Sequence, residues 1–177
     1  YQPDKVWEAL AITKERNCDY PASTRDDLYR RSLYTFWRRT VGPVNMFDSS
    51  DRQACRVKPG KTSTPLHALT TLNDPTWIEA SRFLAEKIML EAKDTSNRLE
   101  TAFRHVTAQT PSTAKLSVLE RAYNEQLAIF KQNPEEADKL LTIGEKKRNP
   151  KLPALEHAAL TQVCLGILNL DQSLTRE

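Results

Sequence analysis

Residues 64–106 read TPLHALTTLNDPTWIEASRFLAEKIMLEAKDTSNRLETAFRHV, and this stretch decides the fold. Proline fits an α-helix only in its first turn, where its missing N–H had no intrahelical acceptor to lose. Pro65 and Pro75 each follow a residue whose side-chain oxygen can cap a helix, Thr64 and Asp74. The pattern predicts a short helix from Pro65 to Leu72, closed by Asn73, and a second from Pro75 to about Glu91. Trp77, Ala80, Leu84, Ala85 and Ile88 recur at three- and four-residue steps and form the second helix's apolar stripe. Asp94 to Asn97 is a polar cap cluster, opening a third helix with Leu99, Ala102, Phe103 and Val106 on its inner face.

The same code continues toward the C-terminus. After Pro111, Leu116, Leu119, Tyr123, Leu127 and Phe130 mark a longer helix. Asn133-Pro134-Glu135-Glu136 joins a cap and a first-turn proline to two acids that the helix dipole favours, and opens a short helix ending at Gly144. Glu145 to Lys151 is charged and reads as a surface loop. A last helix over Ala154 to Leu174 carries Leu155, Ala159, Val163, Ile167 and Leu170. Its apolar residues wrap far around the cylinder, so it is predicted to be central.

Toward the N-terminus the texture changes. Pro3, Pro21, Gly42-Pro43 and Pro59-Gly60 punctuate residues 1–61 as turns. One helix is expected there, from Asp26 to Thr40, with Tyr29, Leu33, Phe36 and Trp37 on one face. The reading is an all-α single domain over residues 1–177. An irregular N-terminal arm (1–61) packs on a body (62–177) of about six or seven helices around the C-terminal one.

Composition agrees. With 39% hydrophobic residues the chain is too apolar for disorder, and 4 Gly in 177 disfavours a turn-rich β-sandwich. No apolar run approaches the ~20 residues of a membrane span. Residues 1–61 carry 12 basic and 8 acidic side chains, and residues 62–177 carry 14 and 15. That surplus is too small for a nucleic-acid face. The helix–turn–helix over 64–89 sets Arg82 and Lys87 against Glu79 and Glu86, with no positive face for phosphates. The chain opens at Tyr1 with no initiator Met, and so reads as a piece of something longer.

Several side chains are candidates for chemistry. Cys18, Cys55 and Cys164 lack the spacing of a zinc or redox motif and are expected as partly buried thiols, with one disulfide as the alternative. His67, His105 and His157 fall on three different predicted helices without metal-site partners, and are expected to be structural or surface residues. No phosphate loop, dinucleotide fingerprint or nucleophile elbow occurs. Tyr29 to Arg39 interleaves bases with aromatics. Helical geometry turns Tyr29, Leu33, Phe36 and Trp37 inward, while Arg31 and Arg38 point to solvent. Arg30 falls inside the apolar arc beside Trp37, where a guanidinium needs a carboxylate, and Asp48 or Asp51 is the expected partner.

The phrases LYRRSLYTFWRRT (28–40), MFDSSDRQAC (46–55), TPLHALTTLNDP (64–75), EASRFLAEKI (79–88) and NLDQSLTRE (169–177) resemble one family. It is the planctomycete-type C-terminal domain of unknown function, found in multidomain proteins that also carry a cytochrome c-like domain. The opening YQPDKVWEA is similar to that family's entry into the domain. Matching motif residues are Tyr29, Arg30, Arg31, Trp37, Arg39, Phe47, Asp48, Asp51, Cys55, Thr64, Pro65, Leu66, Leu69, Asn73, Asp74, Glu79, Asn169 and Glu177, and the resemblance brings no catalytic role with them. It implies export to the periplasm or cell surface, with the haem in another domain and no cofactor in this one. The family usually has Gln where His67 stands, and arginines where Val57 to Lys61 here offers a turn.

Three functional readings follow. The first is a non-catalytic scaffold or partner-binding module whose motifs lock the basic-aromatic arm to the two proline-capped helices. Its partners would be other domains of the same polypeptide, or a separate protein or polysaccharide. The second is an anionic-ligand or carbohydrate-binding domain using Arg31, Arg38 and Arg39. The third is an enzyme with a site around Asp48, Asp51, Cys55 and His67.

Overall fold

In the computed structural model of the chain, residues 24–30 and 65–174 are described. The chain divides into two compact units, Tyr1–His67 and Ala68–Glu177.

In the first unit, Arg25–Tyr29 forms a single 3-10 turn with Asp26 and Asp27 in it. Arg30 then turns extended, with φ −86° and ψ 156°. The helix expected from Asp26 therefore does not run through Arg30 as α-helix. Its remainder to Thr40 lies outside the described residues.

The described helices follow in quick succession: α1 (Pro65–Asn73), α2 (Pro75–Glu91), α3 (Thr95–Thr107), α4 (Thr113–Gln132), α5 (Pro134–Leu141), α6 (Ala154–Leu168) and α7 (Asp171–Leu174). No strand occurs among the described residues, and the fold is all-α as expected. Short polar side chains start α2, α3 and α4 by accepting backbone N–H groups that have no intrahelical partner. Asp74 takes the Thr76 amide (2.8 Å), Asp94 that of Asn97 (3.3 Å) and Ser112 that of Lys115 (3.3 Å).

The C-terminal helix is central. Nine of the fifteen α6 residues are buried, the behaviour of a helix apolar on all sides. It packs on α2, α3, α4 and α5 around Ile88, Leu99, Phe103, Leu141, Leu160 and Ile167. It is shorter than expected, because the chain breaks at Asn169. The Asn169 amide N–H is shared between the Leu165 and Gly166 carbonyls (3.2 Å each), and its side chain lies 2.7 Å from the Thr71 hydroxyl. Ser173 Oγ donates to the Ile167 carbonyl (2.7 Å), so side chains take over the last helical acceptors. In the same way α5 stops at Leu141, short of Gly144.

The buried face of α2 is also rotated from the expected stripe. It consists of Ile78, Glu79, Ser81, Arg82, Ala85, Ile88 and Met89, while Trp77 and Leu84 are half-buried and Ala80 is exposed. Two ionised side chains therefore lie inside the body. Their surroundings define the site.

Candidate functional site

Glu79, Arg82 and Glu86 stand three and four residues apart on α2 and so share one face. Facing them is the segment 143–152 between α5 and α6, the loop expected to be a solvated surface feature. Its side chains Glu145, Lys146 and Lys147 are exposed, but its backbone is fastened down. The Lys146 peptide is gripped from both ends: its N–H donates to Glu79 Oε1 (2.9 Å), and its carbonyl accepts from Arg82 Nη2. Three residues on, the Asn149 N–H donates to Glu86 Oε2 (3.0 Å). We refer to 143–152 as the strap.

Gly144 makes this approach sterically feasible. Its φ is +101°, and a Cβ there would fall 2.4 Å from Glu79 Cδ. Only glycine combines that dihedral with that proximity. Arg82 is fully buried, with its guanidinium 3.6 Å from Glu79 Oε1 and 4.8 Å above the Phe83 ring. Arg148 closes the strap on itself and on α5, through the Leu152 carbonyl (3.4 Å) and Asp138 (3.8 Å).

Beneath Arg82 lies His157 of α6, also fully buried. Its Nε2 is 3.1 Å from the Arg82 carbonyl oxygen. A carbonyl only accepts, so Nε2 carries the hydrogen and Nδ1 is bare. That Nδ1, and the Arg82 Nε and Nη1 groups, are buried without a hydrogen-bond partner. Burial pushes the His157 imidazole below its ordinary range; the Arg82 carbonyl and Glu86 pull it back, and Arg82 and Arg148 add to the depression. The cluster holds backbone in place, and both glutamates that could act as bases are engaged by amides of the strap.

The opposite end of the body is apolar. A groove of about 540 Å³ between α3, α4 and α7 is lined by Phe103, Val118, Leu119 and Leu170. Lys115 spans it, bonded to Gln172 (3.1 Å) and lying 5.3 Å over the Phe103 ring.

The residues singled out from sequence fare differently. Arg30 is exposed and paired with Asp27 (2.7 Å), not sunk in an apolar arc. This corrects its expected burial: once the chain extends at Arg30, the 3.6-residue period that would have aimed it inward no longer applies. Asp48 and Asp51 lie outside the described residues, as do Arg31, Arg38, Arg39, Cys18 and Cys55. His67 is half-buried on α1, and His105 is exposed with Nε2 3.4 Å from Glu91. Cys164 is a buried free thiol whose pKa burial pushes up to about 12. No group of three His, Cys, Asp or Glu side chains is placed to hold a metal ion among the described residues. Among them, no helix is long and apolar enough to cross a membrane.

Of the strap cluster, the sequence set Arg82 and Lys87 against Glu79 and Glu86 without a positive face, and gave His157, on the central helix, a structural or surface place; the structure buries it. One signal was present: Ile78, Arg82, Ala85 and Met89 follow one another at steps of four, three and four. That spacing puts Arg82 on one helical face with three residues that α2 buries.

Fold and cluster together define a helical module whose interior ionic groups fasten its own backbone. By sequence the chain belongs to the family PSD1, described as protein of unknown function (DUF1553), which it matches over residues 1–123. Glu79, Arg82 and Glu86 lie within that match; the strap and His157 lie beyond it. No curated protein and no solved structure shows a significant match.

Proposed function

We propose that this chain is a non-catalytic helical module, serving as scaffold or partner-binding domain in an exported multidomain protein that also carries a cytochrome c-like domain. One observation carries the reading. The groups at the strap best suited to acid–base work, buried Glu79 and His157 and half-buried Glu86, are bonded to main-chain groups of Lys146, Arg82 and Asn149. A catalytic carboxylate must reach a substrate proton; these two hold the fold instead. The apolar groove beside α7 supports the partner-binding side of this reading.

The test is association. The purified chain is titrated with the separately expressed remainder of its polypeptide in a calorimeter, and a saturable 1:1 complex is the expected result. Turnover of any substrate that disappears in Asp48→Asn, Cys55→Ser or His67→Gln would replace this reading with an enzymatic one. Binding to anionic glycans, lost on replacing Arg31, Arg38 and Arg39 by Ala, would replace it with a carbohydrate-binding one.

A further inference from the structure

Three hydrogen bonds with α2 help to hold the strap, and one of their acceptors has a second claimant. Glu86 accepts the Asn149 N–H, and it is also the carboxylate that acts through space on His157. The charged groups facing His157 are Arg82 and Glu86 from α2 and Arg148 from the strap. From α3, Arg98 is directed to Glu156 (3.2 Å) rather than to His157, and on α4 Tyr123 feels Glu156 and Arg98. On α5, Asp138 is taken up by Arg148.

While His157 is neutral the arrangement is stable, with Nε2–H on the Arg82 carbonyl. A proton arriving from solvent at Nδ1 produces an imidazolium whose new N–H points at no acceptor. Arg82 and Arg148 disfavour that cation, and the Glu86 carboxylate favours it. A buried, unpaired cation is strongly disfavoured and is relieved by drawing in that carboxylate or by opening to water.

We propose that residues 143–152 form an acid-released latch, opened when His157 takes a proton and draws the Glu86 carboxylate away from the Asn149 amide. With Asn149 released, the strap has lost its anchor on Glu86 and peels from α2 at that end. Its exposed Lys146-Lys147 pair then becomes accessible as extended chain.

Amide hydrogen exchange on the full chain tests the proposal, read as protection factors corrected for the intrinsic pH dependence and paired with the NMR titration of His157. Between pH 7 and 5, the Lys146 and Asn149 amides are expected to lose at least about tenfold of their protection, in step with His157 protonation. Interior α6 amides such as Leu160 keep theirs, because release is local. In His157→Gln, which retains a donor for the Arg82 carbonyl but does not titrate, strap protection should be flat over this range. Glu86→Gln offers the imidazolium no charge and should move the release to lower pH. The proposal is overturned if strap protection falls without His157 titrating, if strap and α6 amides fall together, or if neither variant changes the pH profile.

Discussion

Gly144 is the smallest residue with the largest steric role. At φ +101° any side chain is strained, and a Cβ would sit within 2.7 Å of the Glu79 carboxylate. Gly144→Ala should therefore destabilise the protein by about 1–3 kcal/mol, the usual range for a forced left-handed dihedral, as read from urea midpoints. Arg82 is a sharper probe. Removing one partner of a buried ion pair leaves the other charge uncompensated, so Arg82→Met should lose about 3–5 kcal/mol. The double variant Glu79→Gln with Arg82→Met should lose less than the sum of the two single changes, since the residues touch. Arg30→Ala is the contrasting case. Its pair with Asp27 is exposed, and such pairs contribute about 0–1 kcal/mol, so its melting temperature should scarcely move.

At the scale of elements, helix ends dominate. Asp74 opens α2 through the Thr76 amide, and Asp74→Ala should lose about 1 kcal/mol, measured by thermal unfolding. Ala108 ends α3 in the left-handed region, at φ 57° and ψ 17°. Glycine adopts that conformation without a Cβ penalty, so Ala108→Gly should stabilise the fold by about 0.5 kcal/mol despite the added freedom of the unfolded chain. The helices themselves were legible. The Pro65, Pro75 and Pro134 starts follow from local rules, as do the buried Leu99, Ala102 and Phe103 of α3 and Ala159, Val163 and Ile167 of α6. Two features were not legible. At the break, Asn169 meets Thr71, 98 positions away, and the buried face of α2 is the Arg82 row rather than the Trp77 stripe, where the strap bonds to Glu79 and Arg82 and α6 brings His157 to the Arg82 carbonyl. No local window contains either partner.

For the molecule as a whole, His157 sets a pH dependence with a definite sign. Its folded-state pKa is lowered from about 6.5. Between that unfolded value and the lower native one, the unfolded chain binds a proton that the native chain does not. Stability is therefore complete above about pH 6.5 and declines as pH falls through the window toward the native value. Melting temperatures taken from pH 7.5 to 5 should show this decline, shallower in His157→Gln. Cys164 should stay inert: its thiol is fully buried and its pKa about 12, so native protein should not react there with thiol reagents near neutral pH, whereas unfolded protein should.

The amino-acid sequence alone was sufficient for class and punctuation: an all-α body, with helices begun at Asp74, Asp94 and Asn133 and a C-terminal helix at the centre. Those properties follow from each residue's own backbone preferences and from apolar spacing within one helix. Only the tertiary structure determined which charges are interior and what they hold. From sequence, Glu79 and Glu86 only offset Arg82 and Lys87; the strap, more than sixty residues later, places two amides against the glutamates and a carbonyl against Arg82. A charge is tolerated inside a protein only when it is partnered, and here part of that pairing comes from distant chain brought in by packing.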